Sequence, residues 1–256
     1  MWSDPWLLQR GRTLRCEQRD FPEWHRGRPH YLCWVIDADR PAVRRRWQQA
    51  RTALQELLLA DYVRQPHVTL ALGGFQQLQA GPEALDAAGL LQQLQGLRQA
   101  AIAPFALQLG RLDSFASVPY LQVHAAAPGY ADARRTLLAA EALADPHVPH
   151  LTLGHYADAW PLERLAACRE RVPDLPLTLP VQQLWLVAYA THDIGGRLWP
   201  VAEWDLQQQR LRWHDSRLLG PIGDEVLAAS GVQSLAMSST TSLTLSRPCQ
   251  LFTSSR

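Results

Sequence analysis

The chain has 256 residues, of which 47% are hydrophobic and 19% charged, enough apolar material for one large or two small domains. Its 25 basic residues, all arginine, face 24 acidic ones for a net charge of +1, which excludes long, nonspecific tracking along nucleic acid but leaves room for a small anionic ligand. Cys16, Cys33, Cys168 and Cys249 show no CxxC spacing, and no stretch is apolar enough for a membrane span or a secretory segment. Free thiols in a reducing cytoplasm and no membrane association are expected.

Residues 1–29 mix Arg, Trp and Pro without helical or strand periodicity and read as an irregular extension. HYLCWVID at 30–37 is β-branched and aromatic, as a strand requires, and Pro41 then opens a helix with Val43, Trp47, Ala50, Leu54 and Leu57 on one face. PHVTLALGGF at 66–75 predicts a strand closed by Gly73 and Gly74, followed by a helix opened by Pro82 with Leu90, Leu94, Leu97 and Ala101 inward. The second part repeats this order. Strands FALQLGRLDSF at 105–115 and VPYLQVHA at 118–125 precede a helix from Pro128 to about Leu143. The strand PHLTLGHY at 149–156 and a helix from Pro161 to about Val172 come next. Strands at 181–190 and 197–206 flank the turn HDIGG. The expected organisation is an irregular N-terminal extension over 1–29, a main two-part domain over 30–205, one further helix within 206–229, and a disordered Ser/Thr-rich tail over 230–256.

One pentapeptide recurs. PHVTL at 66–70 and PHLTL at 149–153 occupy matching slots of the two parts. Strand side chains alternate between faces, so His67 and Thr69 share one face while Val68 and Leu70 share the other; His150 and Thr152 stand likewise against Leu151 and Leu153. Each motif thus buries an aliphatic pair and presents an imidazole beside a hydroxyl. If the parts are related by a pseudo-twofold axis, both pairs face one groove.

Two imidazoles and two hydroxyls suit a phosphodiester. One neutral imidazole takes the proton of the attacking oxygen and a protonated one gives a proton to the leaving oxygen, while the hydroxyls donate to non-bridging oxygens. Histidine, with an ordinary pKa of roughly 6.5, supplies both forms near neutrality. No metal or other cofactor is expected, because His150 and His155 are five apart in a strand and three ligands do not converge. A single H-x-T in a strand would carry little information; two copies in equivalent slots carry much more. Arg64 is a candidate phosphate contact, and Phe115, His155 and Tyr156 are candidate contacts to the rest of a substrate.

The tetrapeptides HVTL at 67–70 and HLTL at 150–153 resemble the paired H-x-[ST] motifs of the 2H phosphoesterase superfamily, most of all its bacterial 2′-5′ RNA ligase-like branch, RNA 2′,3′-cyclic phosphodiesterases included. The resemblance spans about residues 30–205. It implies an α+β fold of two pseudo-symmetric lobes, each a small, mainly antiparallel sheet backed by helices, meeting at a central groove. It also implies opening of 2′,3′-cyclic phosphates or 2′-5′ linkages of RNA ends or nucleotides, with reverse 2′-5′ ligation, by a monomer. His67 would donate the proton to the leaving oxygen and His150 accept one from water, with Thr69 and Thr152 holding the phosphate. The family's arginine after each motif is missing here, where Ala71 and Gly154-His155 stand. The alternative is a nucleotide or RNA-end binding protein with little or no turnover.

Overall fold

The computed structural model describes residues 2–79, 81, 83–138, 143 and 147–230; the tail expected to be disordered lies, apart from Ser230, outside them. The N-terminal segment carries two short helices, α1 (Pro5–Arg10) and α2 (Pro22–His25). It is therefore not irregular throughout. Asp4 caps α1 by accepting from the amides of Trp6 and Leu7, Pro5 occupies the first turn, and Gly11 ends the helix in the left-handed conformation. No periodicity announces so short an element.

Strand β1 (His30–Asp37), helix α3 (Pro41–Leu54), β2 (His67–Gln76), the two-residue β3 (Ala84–Leu85) and α4 (Ala87–Ala100) make the first half. β4 (Phe105–Ser114), β5 (Pro119–His124), α5 (Pro128–Leu137), β6 (His150–Thr152), α6 (Leu162–Arg169) and β7 (Leu177–Val181) make the second. β8 (Gln183–Ala190), β9 (Leu198–Asp205) and β10 (Arg210–Trp213) return to the first half, and α7 (Gly223–Ala229) closes the described chain. The fold is α+β. The sheet order is β10-β9-β8-β1-β2-β6-β5-β4-β7, antiparallel throughout, with β3 added parallel to β2.

Several elements depart from the sequence reading, among them α4, which is capped by Asp86 instead of being opened by Pro82 and ends before Ala101, an exposed residue in the left-handed conformation. β2 does not stop at Gly73-Gly74; the register against β1 slips there and the strand runs on to Gln76. Gly74, at φ +123°, leaves room for the Glu83 carbonyl, which a Cβ would meet at 2.7 Å, and so lets β3 lie alongside. Within 206–229, where one further helix is expected, the chain first forms a hairpin: Asp205 accepts from the amides of Gln207 and Gln208, Gln209 takes a positive φ, and β10 pairs back onto β9. The helical piece comes later, as a 3₁₀ segment at Ser216–Ile222 leading into α7. β7 has no counterpart among the expected strands.

The helices cover one face of the sheet. Leu32, Trp34 and Ile36 of β1, Val68 and Leu70 of β2, and Leu151 beside β5's Leu121 join Leu54, Leu90, Leu94 and Leu137 in one continuous core. The opposite face carries, among the described residues, a smaller cluster of Cys33, Val35, Val187 and Leu198, with Trp185 and Tyr189 packed against it. The motif residues open onto that second face.

Among the described residues, the two halves of the sheet are joined by one ladder pair, Val68 opposite Leu151. On either side of it the strands part and leave carbonyls without a ladder partner. Arg134 of α5 donates to the Leu70 carbonyl at 2.6 Å, whereas Trp47 and Arg51 of α3 donate to the Thr152 and Leu153 carbonyls at 2.9 and 2.6 Å. Each half's helix thus fills a wedge in the other half's strand. Buried carbonyls must be satisfied, so Arg134→Met should lower the free energy of unfolding by about 1–3 kcal/mol, read from urea denaturation followed by tryptophan fluorescence. Arg51→Met should act in the same direction, since Trp47 supports only the neighbouring carbonyl.

Candidate active site

Antiparallel pairing of Val68 with Leu151 places His67 across from Thr152 and Thr69 across from His150. The four side chains therefore form two cross-strand imidazole–hydroxyl pairs on the face opposite the larger helices, all of them partly accessible. Both histidines are locked alike. His67 Nδ1 lies 2.8 Å from the Gln65 carbonyl and His150 Nδ1 lies 2.8 Å from the Val148 carbonyl. A carbonyl can only accept, so each Nδ1 carries the proton and each neutral ring turns an Nε2 lone pair outward. The proline before each histidine explains the geometry: it holds the preceding residue extended, setting that carbonyl beside the ring.

Burial holds the His67 pKa down to about 4, against the weaker pull of the Gln65 carbonyl; Arg64 and His150 add positive-charge repulsion. The His150 pKa is also lowered by burial, with the Val148 carbonyl opposing. Both rings are therefore neutral at pH 7 in the ligand-free protein. Arg64 is placed by the turn at 191–196: its Nε and Nη2 donate to the carbonyls of Gly196 and Ile194, and its guanidinium stacks on Tyr189. It is a cation fixed near His67.

A family model described as the 2′-5′ RNA ligase superfamily matches residues 39–193, more than half of the chain. The chain belongs to that superfamily. Among solved structures, the ligase superfamily member resembles TT0787 of Thermus thermophilus, at 20% identity over 64% of this chain and 99% of that one, TM-score 0.42. It also resembles Escherichia coli LigT complexed with ATP, at 21% identity over 71% and 100%, TM-score 0.45, and the same protein complexed with 3′-AMP, at 21% over 70% and 99%, TM-score 0.41. No curated protein matches.

Of the other residues singled out in this superfamily member, Phe115 does reach the site, edge-on to the His150 ring at 5.0 Å. Arg64 lies near His67, as described. His155 packs edge-on against Tyr62 at 5.6 Å, and its pKa is lowered by burial and by Arg64. Tyr156 is removed from the candidates: it is fully buried, with its hydroxyl 2.6 Å from Ser114 Oγ. The expected eight-residue strand ends at Thr152, and Gly154 at φ +153° turns the chain, so alternation no longer governs His155 and Tyr156.

Register also brings in neighbours, of which the motif search did not single out Asp37, Val35 and Gln122. Asp37 and Val35 of β1 flank His67 and Thr69; Tyr120 and Gln122 of β5 flank Thr152 and His150. Period-2 alternation in HYLCWVID and VPYLQVHA marked their faces, but only the pairing shows which strand adjoins which motif. Beside His67 opens a pocket of about 240 Å³ lined by Val35, Val187, Leu198, Pro200, Trp185 and Asp37 among others. It is mostly apolar, with one indole. Among the described residues no group of three or more His, Cys, Asp or Glu side chains is arranged to hold a metal ion, and no helix is long and apolar enough to cross a membrane.

The lowered histidine pKa values fix a sign for stability. Above about pH 6.5 folded and unfolded His67 are both neutral. Between there and about 4 the unfolded chain takes up a proton that folded His67 refuses, so stability falls as pH falls through this window. His147, also held to about 4 by burial, adds to the slope. Urea midpoints measured from pH 7 to 4 should decline, and His67→Asn should flatten the decline in part without abolishing it.

Proposed function

We propose that this superfamily member hydrolyses 2′,3′-cyclic phosphates or 2′-5′ phosphodiesters of nucleotides or RNA ends by two-histidine acid–base catalysis. The observation that supports the reading is the pair of Nδ1-locked imidazoles turning Nε2 to one face, each directly across from a threonine whose hydroxyl has no protein partner among the described residues. Water attacks phosphorus as one Nε2 takes its proton. The P–O bond to a ribose oxygen breaks, and the other imidazolium's Nε2–H protonates that oxygen. The Thr69 and Thr152 hydroxyls donate to the non-bridging oxygens, and Arg64 supplies positive charge. A 5′-hydroxyl in place of water gives the reverse 2′-5′ ligation with the same proton transfers. The apolar pocket beside His67, with Trp185 in its wall, suits a nucleobase. No cofactor takes part in these steps.

By the family resemblance His67 is the donor and His150 the acceptor. His67 is uncharged at neutrality in the free protein, so in that assignment the bound phosphate's negative charge recharges it. A second reading, a nucleotide or RNA-end binder with little turnover, draws on the same depressed basicity and on Arg64, whose guanidinium already serves two carbonyls.

The test is incubation with a 2′,3′-cyclic nucleotide in excess EDTA, with products separated by chromatography. Hydrolysis should yield one monophosphate isomer, and His67→Ala or His150→Ala should each lower kcat by about 10²–10⁴. Because both free-protein pKa values lie below 6.5, the bell-shaped profile of kcat/KM should peak on the acid side of pH 6.5. Tight monophosphate binding with no turnover of cyclic nucleotides or RNA ends would select the second reading.

A further inference from the structure

The N-terminal segment reaches the site side of the sheet by a route that the motifs do not reveal. Trp2 is buried in the core under the Arg169 guanidinium, 4.8 Å from its ring, and Asp4 accepts from the Ala116 amide at 2.9 Å while capping α1. Ser3, pinned between these two anchors, donates from Oγ to Asp113 Oδ2 at 2.6 Å. Its oxygen is 3.0 Å from the Tyr120 hydroxyl. With the serine proton given to the carboxylate, the tyrosine O–H is the donor of that second bond.

Asp113 is fully buried and gathers further donors: the Ser3 amide at 3.3 Å, its neighbour Ser114's amide at 2.8 Å, and Gln122 Nε2 at 2.6 Å. Gln122 stands directly across the sheet from His150, and Tyr120 directly across from Thr152. The Tyr120 ring lies 5.5 Å from the His150 ring and 4.3 Å from Phe115, which closes on the same imidazole. One carboxylate and one N-terminal hydroxyl therefore fix two of the neighbours that surround the second motif. Among the described residues His67 has no equivalent brace: its side opens into the mostly apolar pocket.

We propose that Ser3 and Asp113 are positioning residues for the second half of the site, holding His150 and Thr152 in register through Tyr120 and Gln122. This rests on the two-histidine reading above. A ring free to tilt loses alignment of Nε2 with the reacting oxygen, and misplacement of about 1 Å costs up to about 10²-fold in rate. Loss of one hydroxyl should do less.

The experiment uses the full chain with Ser3→Ala, Ser3→Thr and Asp113→Asn. It reads kcat and KM on a 2′,3′-cyclic nucleotide, the thermal midpoint, and the Hε1 proton resonances of the histidine rings by NMR. Ser3→Ala should lower kcat about tenfold with KM within about twofold, and Ser3→Thr should restore it. Because Phe115 and Tyr120 are edge-on to His150, their ring currents make its Hε1 resonance a direct gauge of their position. That resonance should move in Ser3→Ala while that of His67 stays. A lowered thermal midpoint with kcat and the His150 resonance unchanged would reduce Ser3 to a fold contact and overturn the proposal. Should Asp113→Asn fail to fold, the exposed Ser3 still gives the answer. If the wild-type chain turns over no substrate, a shifted His150 resonance keeps the positioning role while the hydrolytic reading fails.

Discussion

Everything in the site depends on one backbone pairing, Val68 with Leu151. Two strands with nearly the same pentapeptide run antiparallel past each other, and registering them at their central valine and leucine sets each histidine opposite the other motif's threonine. A one-residue slip would turn one imidazole into the helical core, because side-chain direction has a period of two. The ladder itself is too short to hold that register. What holds it is burial of Val68, Leu70, Leu151 and Leu153 in one core, with donors from α3 and α5 to carbonyls of the opposite half. The two expected lobes are thus halves of one sheet, and the groove between them is the line along which that sheet nearly comes apart.

The same packing sets the electrostatics. A motif strand deep enough to be registered by its core lies where water is scarce, and desolvation removes the charged form of histidine. His67, with Arg64 nearby, is held down to about 4. An empty site of this kind keeps its proton acceptors and lacks its proton donor. An anionic ligand reverses that balance, since negative charge next to an imidazole favours the imidazolium. In the proposed reaction the phosphodiester is therefore both substrate and the counter-charge that completes the acid–base pair.

The motif, its facing and its duplication were legible because they rest on strand alternation and on a repeated five-residue pattern, both purely local. Most strands and the larger helices were legible for the same reason: Val43, Ala50 and Leu54 do fall on one buried face of α3. The features that escaped depend on tertiary partners. PHLTLGHY carries an eight-residue alternating signal, yet β6 has three residues because Gly154 turns the chain toward Leu58 and Arg51. The β10 segment suits a helix as well as a strand because its arginines and leucine satisfy either period, and the Asp205 turn decides the matter. Tyr156 has the alternation of a site-facing residue, but its ring is buried and its hydroxyl is taken by Ser114. The N-terminal contacts to Asp113 span about a hundred residues of sequence and leave no periodic trace.

The pseudo-twofold is broken at the point where an in-line displacement has to be asymmetric. Attack and departure occur on opposite sides of phosphorus and need opposite protonation states, which two identical imidazoles in identical surroundings would not supply. Here the backbone relation is kept, with Nδ1 bonded to the same relative carbonyl in both motifs, and the surroundings differ. His67 faces an apolar pocket and a fixed arginine; His150 sits in an aromatic box braced through Asp113. Duplication provides two imidazoles on one face, and the elements outside the repeat, the N-terminal segment and the 191–196 turn, make their surroundings inequivalent. Substitutions in those two segments should thus alter the relation between the histidines more than either histidine's presence, which is why a reading confined to the paired motifs describes the chemistry but not its direction.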